Sequence, residues 1–313
     1  MAKEGPKPGL GGLVIVDKSA GMTSHDVVGR IRKLANTRKV GHAGTLDPMA
    51  TGVLIVGTER TTRLLGHLAG GDKTYAATIR LGVATDTDDA MGSPIATVDA
   101  SSVTDDAIAS GVRALSGDIE QVPSTISAIK VDGKRAYSRA RAGEELELAA
   151  RSVRVARFEV LAIRRREPLE MPEGGNTAAV VDVDVEVDCS TGTYIRALAR
   201  DLGAGLGVGG HLTALRRTRV GPFGLDLAHT LDELAENLVT VPLAQAARAT
   251  FAHRDVDAEA ARILVHGGWL PAELAGVPGA IGPTAVFGPD DWFCGLVEVR
   301  AGRARPIAVF GDS

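Results

Sequence analysis

The chain opens on a Gly-, Pro- and Lys-rich stretch, 1–12, with no apolar period, which reads as a flexible arm. Residues 13–17 then form a short apolar strand. Thr23 or Ser24 caps a helix in which Val27, Val28, Ile31 and Leu34 recur at the 3.6-residue period. Lys33, Arg38 and Lys39 lie at its end, where cations suit the helix dipole. The stretch 41–52 is rich in Gly and Thr, has no period, and is predicted as a loop. Strand returns at 53–56, a helix is predicted over 59–68, and 73–81 alternates as a strand. Thr104 begins a helix carrying Ile108, Val112 and Leu115, ended by Gly117. Residues 126–131 are strand-like, and the basic stretch 133–142 is predicted helical.

The clearest alternation lies further on. Val181, Val183, Val185 and Val187 interleave with Asp182, Asp184, Glu186 and Asp188, the period-2 pattern of a half-buried antiparallel strand. Its partner is 151–166, across a Pro- and Gly-containing turn at 168–175. A helix over 194–206 is broken by the glycines of 203–210, a strand covers 212–223, and 230–248 is predicted helical. From 251 the texture changes. Pro and Gly crowd 267–289, and short strands at 295–299 and 305–310 suggest a small β-rich module. This mixed order predicts an α+β fold rather than a doubly wound one.

Composition narrows the picture. Hydrophobic residues make up 44% of 313, enough for a buried core, and aromatic content is only 4%, so aliphatic packing dominates. Two cysteines, Cys189 and Cys294, build neither a disulfide framework nor a zinc knuckle. The N-terminal residues lack the apolar core of a signal peptide and no apolar run approaches a membrane span, so a soluble, cytoplasmic protein is expected.

The net charge of −4 argues at first against a polyanionic partner. Counted by segment, however, 1–80, 123–170 and 196–219 carry +6, +4 and +4, and the segments between and after them carry −7, −5 and −6. Basic blocks brought together by folding would make a polyanion site, with the acidic stretches on the far side.

Candidate chemistry falls in the 41–52 loop, which offers His42, Thr45 and Asp47. A carboxylate there suits a nucleophile, a general base or a metal ligand, but a lone Asp in a loop is far more often a turn former, and Pro48, which keeps it out of helical conformation, fits either role. No P-loop, dinucleotide fingerprint, HExxH or CxxC pair is present.

Residues 12–33 (GLVIVDKSAGMTSHDVVGRIRK) and 40–65 (VGHAGTLDPMATGVLIVGTERTTRLL) resemble the tRNA pseudouridine synthase B family. So do DKTYAATIRLGVATDTDDAMG, GDIEQVPSTISAIKVDGKRAYSRARAG, CSTGTYIRALARDLG and LRRTRVGPF, in that order. The resemblance covers about 12–223, and 251–313 is similar to the short actinobacterial form of the C-terminal domain. It implies a pseudouridine synthase fold: a central mixed, mostly antiparallel sheet flanked by helices, plus a small β-rich, PUA-like domain. The expected divisions are an arm at 1–12, a catalytic domain at 13–250 with a thumb insertion at about 123–152, and a C-terminal domain at 251–313.

The same resemblance implies conversion of the T-loop uridine at position 55 of tRNA to pseudouridine, without metal or other cofactor. The expected protein is a monomer whose partner is the tRNA T-arm, with no membrane contact. Asp47 is implied as the essential carboxylate, attacking C1′ or C6 or taking a proton from C2′. Arg196, in Tyr194-Ile195-Arg196, is implied as its partner, and a guanidinium there is expected to depress its pKa. Tyr75 is implied to stack on the extruded base and to take the C5 proton. His42 would fill the space the base leaves, at a stacking gain of about 1–3 kcal/mol. Tyr194 and Leu215 would line the pocket, and Lys18 would brace the loop with Gly21, although Ser19 stands where the family usually has Pro. Lys130, Lys134, Arg135, Arg139 and Arg141 would contact RNA from the thumb, with Arg216, Arg217 and Arg219 as a further phosphate-binding cluster.

Two other functions fit parts of the sequence. A non-catalytic tRNA-binding or folding protein would need the basic blocks but not Asp47, Tyr75 and Arg196 together. A small-molecule hydrolase using Asp47 and His42 would leave the basic insertion unexplained.

Overall fold

The computed structural model describes residues 11–124, 130–131, 134–135, 148–170 and 177–311. Its principal strands are β1 (Gly12–Lys18), β2 (Val40–Ala43), β3 (Thr51–Thr58), β4 (Lys73–Leu81), β5 (Gly117–Gln121), β6 (Arg151–Glu170), β7 (Thr177–Cys189) and β8 (Gly210–Val220). They form one sheet in the order β1, β3, β8, β4, β7, β6, β5, extended at the β1 edge by Val241–Pro242; β2 pairs with β3, and Phe223–Gly224 with β8. Neighbours are antiparallel except β3 and β8, which run parallel. Among the described residues the fold is therefore α+β with a mixed, mostly antiparallel sheet.

Three helices matter for the site: α1 (Ser24–Leu34), α2 (Asp105–Ala114) and α3 (Ile195–Gly205). Thr23 caps α1 in a reciprocal box with Asp26, satisfying two backbone donors at once. Val27, Val28 and Ile31 on α1 and Leu198 and Leu202 on α3 pack on one face of the sheet, against Val14, Val16, Leu54 and Val183. The opposite face of β1 and β3, carrying Leu13, Ile15, Val53 and Ile55, is also covered. There it shares a core with Phe287, Phe293, Leu296 and Phe310 from a second sheet. Burial on both faces explains why 13–16 and 53–56 are unbroken apolar runs instead of alternating ones.

The second sheet has five strands, in the order Ala252–Asp255, Thr284–Phe287, Phe293–Arg300, Arg303–Val309, Leu270–Pro271. Two helices, Ala258–Val265 and Ala272–Ala275, which the sequence pattern did not predict, pack with it. Among the described residues no helix is long and apolar enough to cross a membrane.

Other differences from the pattern have local causes. Residues 41–43 are strand, not loop, because β3 offers them an edge to pair with. The helix over 59–68 is a 3-10 turn, Glu59–Leu64, followed by one α-turn, Leu65–Leu68. The helix over 230–248 is two helices, Leu231–Glu236 and Leu243–Thr250; the first ends where Asn237 becomes extended, and Pro242 stands at the start of the second. Lys134–Arg135 is a short strand paired with Lys130–Val131, where a helix was expected; 136–142 lie outside the described residues.

Candidate active site

Asp47 sits in the 44–50 loop between β2 and β3. Glycines make the two bends: Gly44 has φ +75° and Gly52 has φ +97°. At Gly52 the backbone runs so close to β8 that a Cβ would lie 2.1 Å from the Arg217 carbonyl oxygen. The loop is then tied down from below. Ser24 Oγ accepts from the Leu46 N–H at 3.0 Å and donates to its carbonyl at 3.2 Å. Gly21 N–H donates to the Pro48 carbonyl at 2.8 Å. Lys18 is fully buried, and its ammonium donates to the carbonyls of Ser19 (3.0 Å), Met22 (2.7 Å) and Pro48 (3.3 Å). Ser19 thus contributes its carbonyl to the brace, which holds without a proline there. Burial lowers the Lys18 pKa to about 8, against the pull of nearby Asp47.

Arg196, in the first turn of α3, is buried and reaches Asp47 at 3.0 Å from Nε to Oδ2. Its Nη1 donates to the Thr87 carbonyl at 2.8 Å and lies 3.5 Å from Asp89 Oδ2. One guanidinium therefore links two carboxylates. The expectation of a depressed Asp47 pKa is not met. Burial pushes the carboxyl above its ordinary value, Arg196 and Lys18 oppose this, and Asp89 adds to it. The Asp47 side chain is still 38% exposed, so water at the mouth of the site screens part of each contribution.

That mouth opens into a cavity of about 270 Å³ lined by Asp47, Tyr75, Tyr194, Arg196, Leu215, Lys73 and Arg217, among others. Tyr75 is nearly buried, which raises its phenol pKa; Arg217 hydrogen-bonds the side chain and opposes the shift. Lys73 donates to the carbonyls of Ala69 (3.1 Å) and Gly71 (2.8 Å), and burial lowers its pKa. Cys189, its cross-strand neighbour, is pushed up to about 11 by burial and stays a thiol.

The structure thus brings Asp47, Tyr75, Arg196, Tyr194 and Leu215 to one cavity, with Lys18 beneath its loop. His42 is not among the cavity-lining residues. It lies on β2, half-buried, its ring edge-on to His25 with centroids 5.5 Å apart. Lys130, Lys134 and Arg135 fall on the short hairpin, and Arg139 and Arg141 lie outside the described residues.

Two charge expectations are corrected. Arg217 is no phosphate contact: it is buried and donates to the carbonyls of Val53 (2.8 Å), Gly44 (2.9 Å) and Thr45 (3.4 Å). Arg216 pairs with Asp17 at 2.6 Å, and Arg219 approaches Asp188 at 3.5 Å. Nor are the acidic stretches a far side. Asp89 backs the site, and the carboxylates of β7 meet arginines of adjoining strands. Asp182 accepts from Arg80 (2.8 Å) and Arg166 (2.9 Å), which hold its pKa low although burial alone would raise it.

Asp89 and Lys73 were missed as site residues, and Arg217 was expected at phosphate instead of in the pocket wall. Strand periodicity would have found two of them, because Lys73 and Tyr75, like Leu215 and Arg217, are i, i+2 pairs on one strand face. Asp89 carried no such signal within its acidic turn.

Comparison with known proteins places the chain in a family. Residues 32–195 match the TruB family pseudouridylate synthase N-terminal domain, 196–248 the tRNA pseudouridylate synthase B C-terminal domain, and 251–311 the tRNA pseudouridine synthase II C-terminal domain. The chain is 61% identical to tRNA pseudouridine synthase B of Rhodococcus jostii, covering 98% of this chain and 97% of that one. It is 56% identical to the protein of the same name from Streptomyces griseus, over 96% and 97%. Among solved structures it is similar to a chain of a Cbf5-Nop10-Gar1 complex, with TM-score 0.69, 26% identity and coverage of 96% and 84%. It is also similar to a chain of an H/ACA RNP bound to a substrate RNA containing 2′-deoxyuridine, with TM-score 0.67, 26% identity and coverage of 96% and 85%. The chain belongs to the TruB family of pseudouridylate synthases.

Proposed function

We propose that this protein isomerises the uridine at position 55 in the tRNA T-loop to pseudouridine, with Asp47 as the essential carboxylate. At the coarser level it is a tRNA pseudouridine synthase. The observation that carries the finer reading is the Asp47–Arg196 pair, 3.0 Å apart at a cavity whose volume of about 270 Å³ suits one extruded pyrimidine.

The reaction breaks the C1′–N1 bond, turns the base, forms C1′–C5, and moves one proton from C5 to solvent while N1 gains one. Nothing is oxidised or hydrolysed. Ionised Asp47 is held by Arg196 facing the bound nucleotide, where it attacks C1′ or C6 or removes the C2′ proton. Arg196 in turn is held between Asp47, Asp89 and the Thr87 carbonyl, so its planar fork has little freedom. Tyr75 forms the wall against which the uracil stacks, and its hydroxyl, beside Arg217, is the group we assign to C5 deprotonation. Tyr194 and Leu215 complete the apolar slot. His42 fills the vacated stack, and the basic residues of the 123–152 insertion hold the T-arm. Within the same proposal, 13–250 form the catalytic unit and 251–313 a PUA-like accessory domain of a cytoplasmic monomer.

The test is carbodiimide labelling and primer extension on an unmodified T-arm hairpin. Wild type is expected to give a stop at the target uridine, and Asp47→Asn none. A fully active Asp47→Asn protein refutes the assignment, and RNA binding without a stop in wild type points to a non-catalytic tRNA-binding protein instead.

A further inference from the structure

Resting on the assignment of Asp47 and Arg196 above, we infer that Gln121 is a positioning residue for the Arg196–Asp47 pair. Gln121 is the last residue of β5, immediately before the basic insertion, and the residue is 1% exposed. It addresses the backbone of one residue twice, through the peptide groups on either side of it: Oε1 accepts from the Tyr194 N–H at 2.8 Å, and Nε2 donates to the Tyr194 carbonyl at 3.1 Å.

Tyr194 is the residue that opens α3. Its backbone is extended, and Gln121 Oε1 satisfies its N–H from another strand, as the N3 side chain does in a capping box. Two residues on is Arg196. The Tyr194 ring also lines the cavity, so one amide clamp sets both a wall of the pocket and the start of the helix that aims the guanidinium. A second tether lies one turn further along. Arg200 Nη2 donates to the Val122 carbonyl at 2.7 Å, and its Nη1 lies 3.3 Å from Asp88 Oδ2, next to Asp89. The base of the insertion and the reacting pair are thus joined through α3 by direct hydrogen bonds.

Gln121→Leu keeps the volume and removes both bonds. Gln121→Glu keeps both only when protonated, because a neutral carboxyl offers one donor and one acceptor as the amide does, whereas a carboxylate repels the Tyr194 carbonyl. Single-turnover tritium release from a T-arm hairpin labelled at uridine C5 reads the effect, at a temperature where a circular-dichroism melt finds the variant folded. Gln121→Leu is expected to lower the rate up to about a hundredfold, as small misplacements of reacting groups do, with RNA affinity unchanged. The rate of Gln121→Glu relative to wild type is expected to rise as pH falls from mildly alkaline to mildly acidic, which a loss of stability alone would not produce. A Gln121→Leu rate equal to wild type, or a Gln121→Glu ratio flat with pH, overturns the inference. If Gln121→Leu does not fold, the Glu ratio alone decides. Wild-type protein that releases no tritium would instead refute the proposed function.

Discussion

Replacing Arg196 by methionine tests whether the guanidinium sets the charge state of Asp47 as well as its orientation. Two unit charges 3.0 Å apart attract by about 5–6 kcal/mol at an effective dielectric constant of about 20. That is an upper bound, because the Asp47 side chain is 38% exposed and the same guanidinium is shared with Asp89. Between the worth of an exposed pair and that of a buried one, about 1–3 kcal/mol is retained. Losing it raises the Asp47 pKa, because the ionised form loses its nearest opposite charge. Burial already holds that pKa above the ordinary aspartate value, so the shift carries it towards neutrality. Under the proposed mechanism Asp47 acts in its ionised form. The acid limb of the rate profile should therefore move to higher pH, with a lower plateau from lost orientation. The assay is single-turnover tritium release across a pH series. A lower plateau with an unmoved acid limb would refute the electrostatic part, leaving Arg196 as a purely steric guide.

Four further outcomes are expected. Because the folded pKa of Asp47 is raised, its neutral form is favoured by the fold; that contribution is full below the unfolded pKa and lost as pH rises through the folded one. Asp47→Asn should thus melt higher than wild type at neutral pH, and a lower melting temperature would contradict the dominance of burial. Tyr75→Phe keeps the ring and loses the hydroxyl, so filter binding to T-arm RNA should be unchanged while tritium release falls; equal losses in both would assign the hydroxyl to binding. Gly52→Ala combines a positive φ with a Cβ 2.1 Å from the Arg217 carbonyl, and should cost about 2–5 kcal/mol in urea unfolding, with a cost below about 1 arguing that β3 and β8 separate easily. Reversing Lys134 and Arg135 to Glu should weaken RNA binding and flatten its dependence on salt, and an unchanged slope would remove both from the RNA face.

The elements that were legible in sequence are those whose pattern is local. The alternating valines of β7 and the capped, periodic α1 needed only their own residues. The small helices beside the second sheet, and the break between Glu236 and Leu243, depended on weaker or competing signals. In the site, Asp47 and Arg196 stood out through the motifs that carry them. Asp89 did not, because an acid in an acidic turn looks the same whether or not an arginine 107 residues away folds onto it. Arg217 was misread for a related reason: three arginines in RRTR look like a phosphate-binding patch until the strand's alternation sends one of them inward to the loop carbonyls.

The sequence by itself determined the periods, the caps, the glycine bends and the family motifs, since each is a property of neighbouring residues. It also showed basic and acidic blocks, but not what they face. Tertiary structure decided that. By stacking β4, β7 and β6 it neutralised the acids of β7, and by closing α3 over the 44–50 loop it placed Arg196 between Asp47 and Asp89. Charge pairing and desolvation depend on distance in space, and a linear pattern carries no such distance. That is why the direction of the Asp47 pKa shift emerged only once its burial and its second carboxylate neighbour were in view.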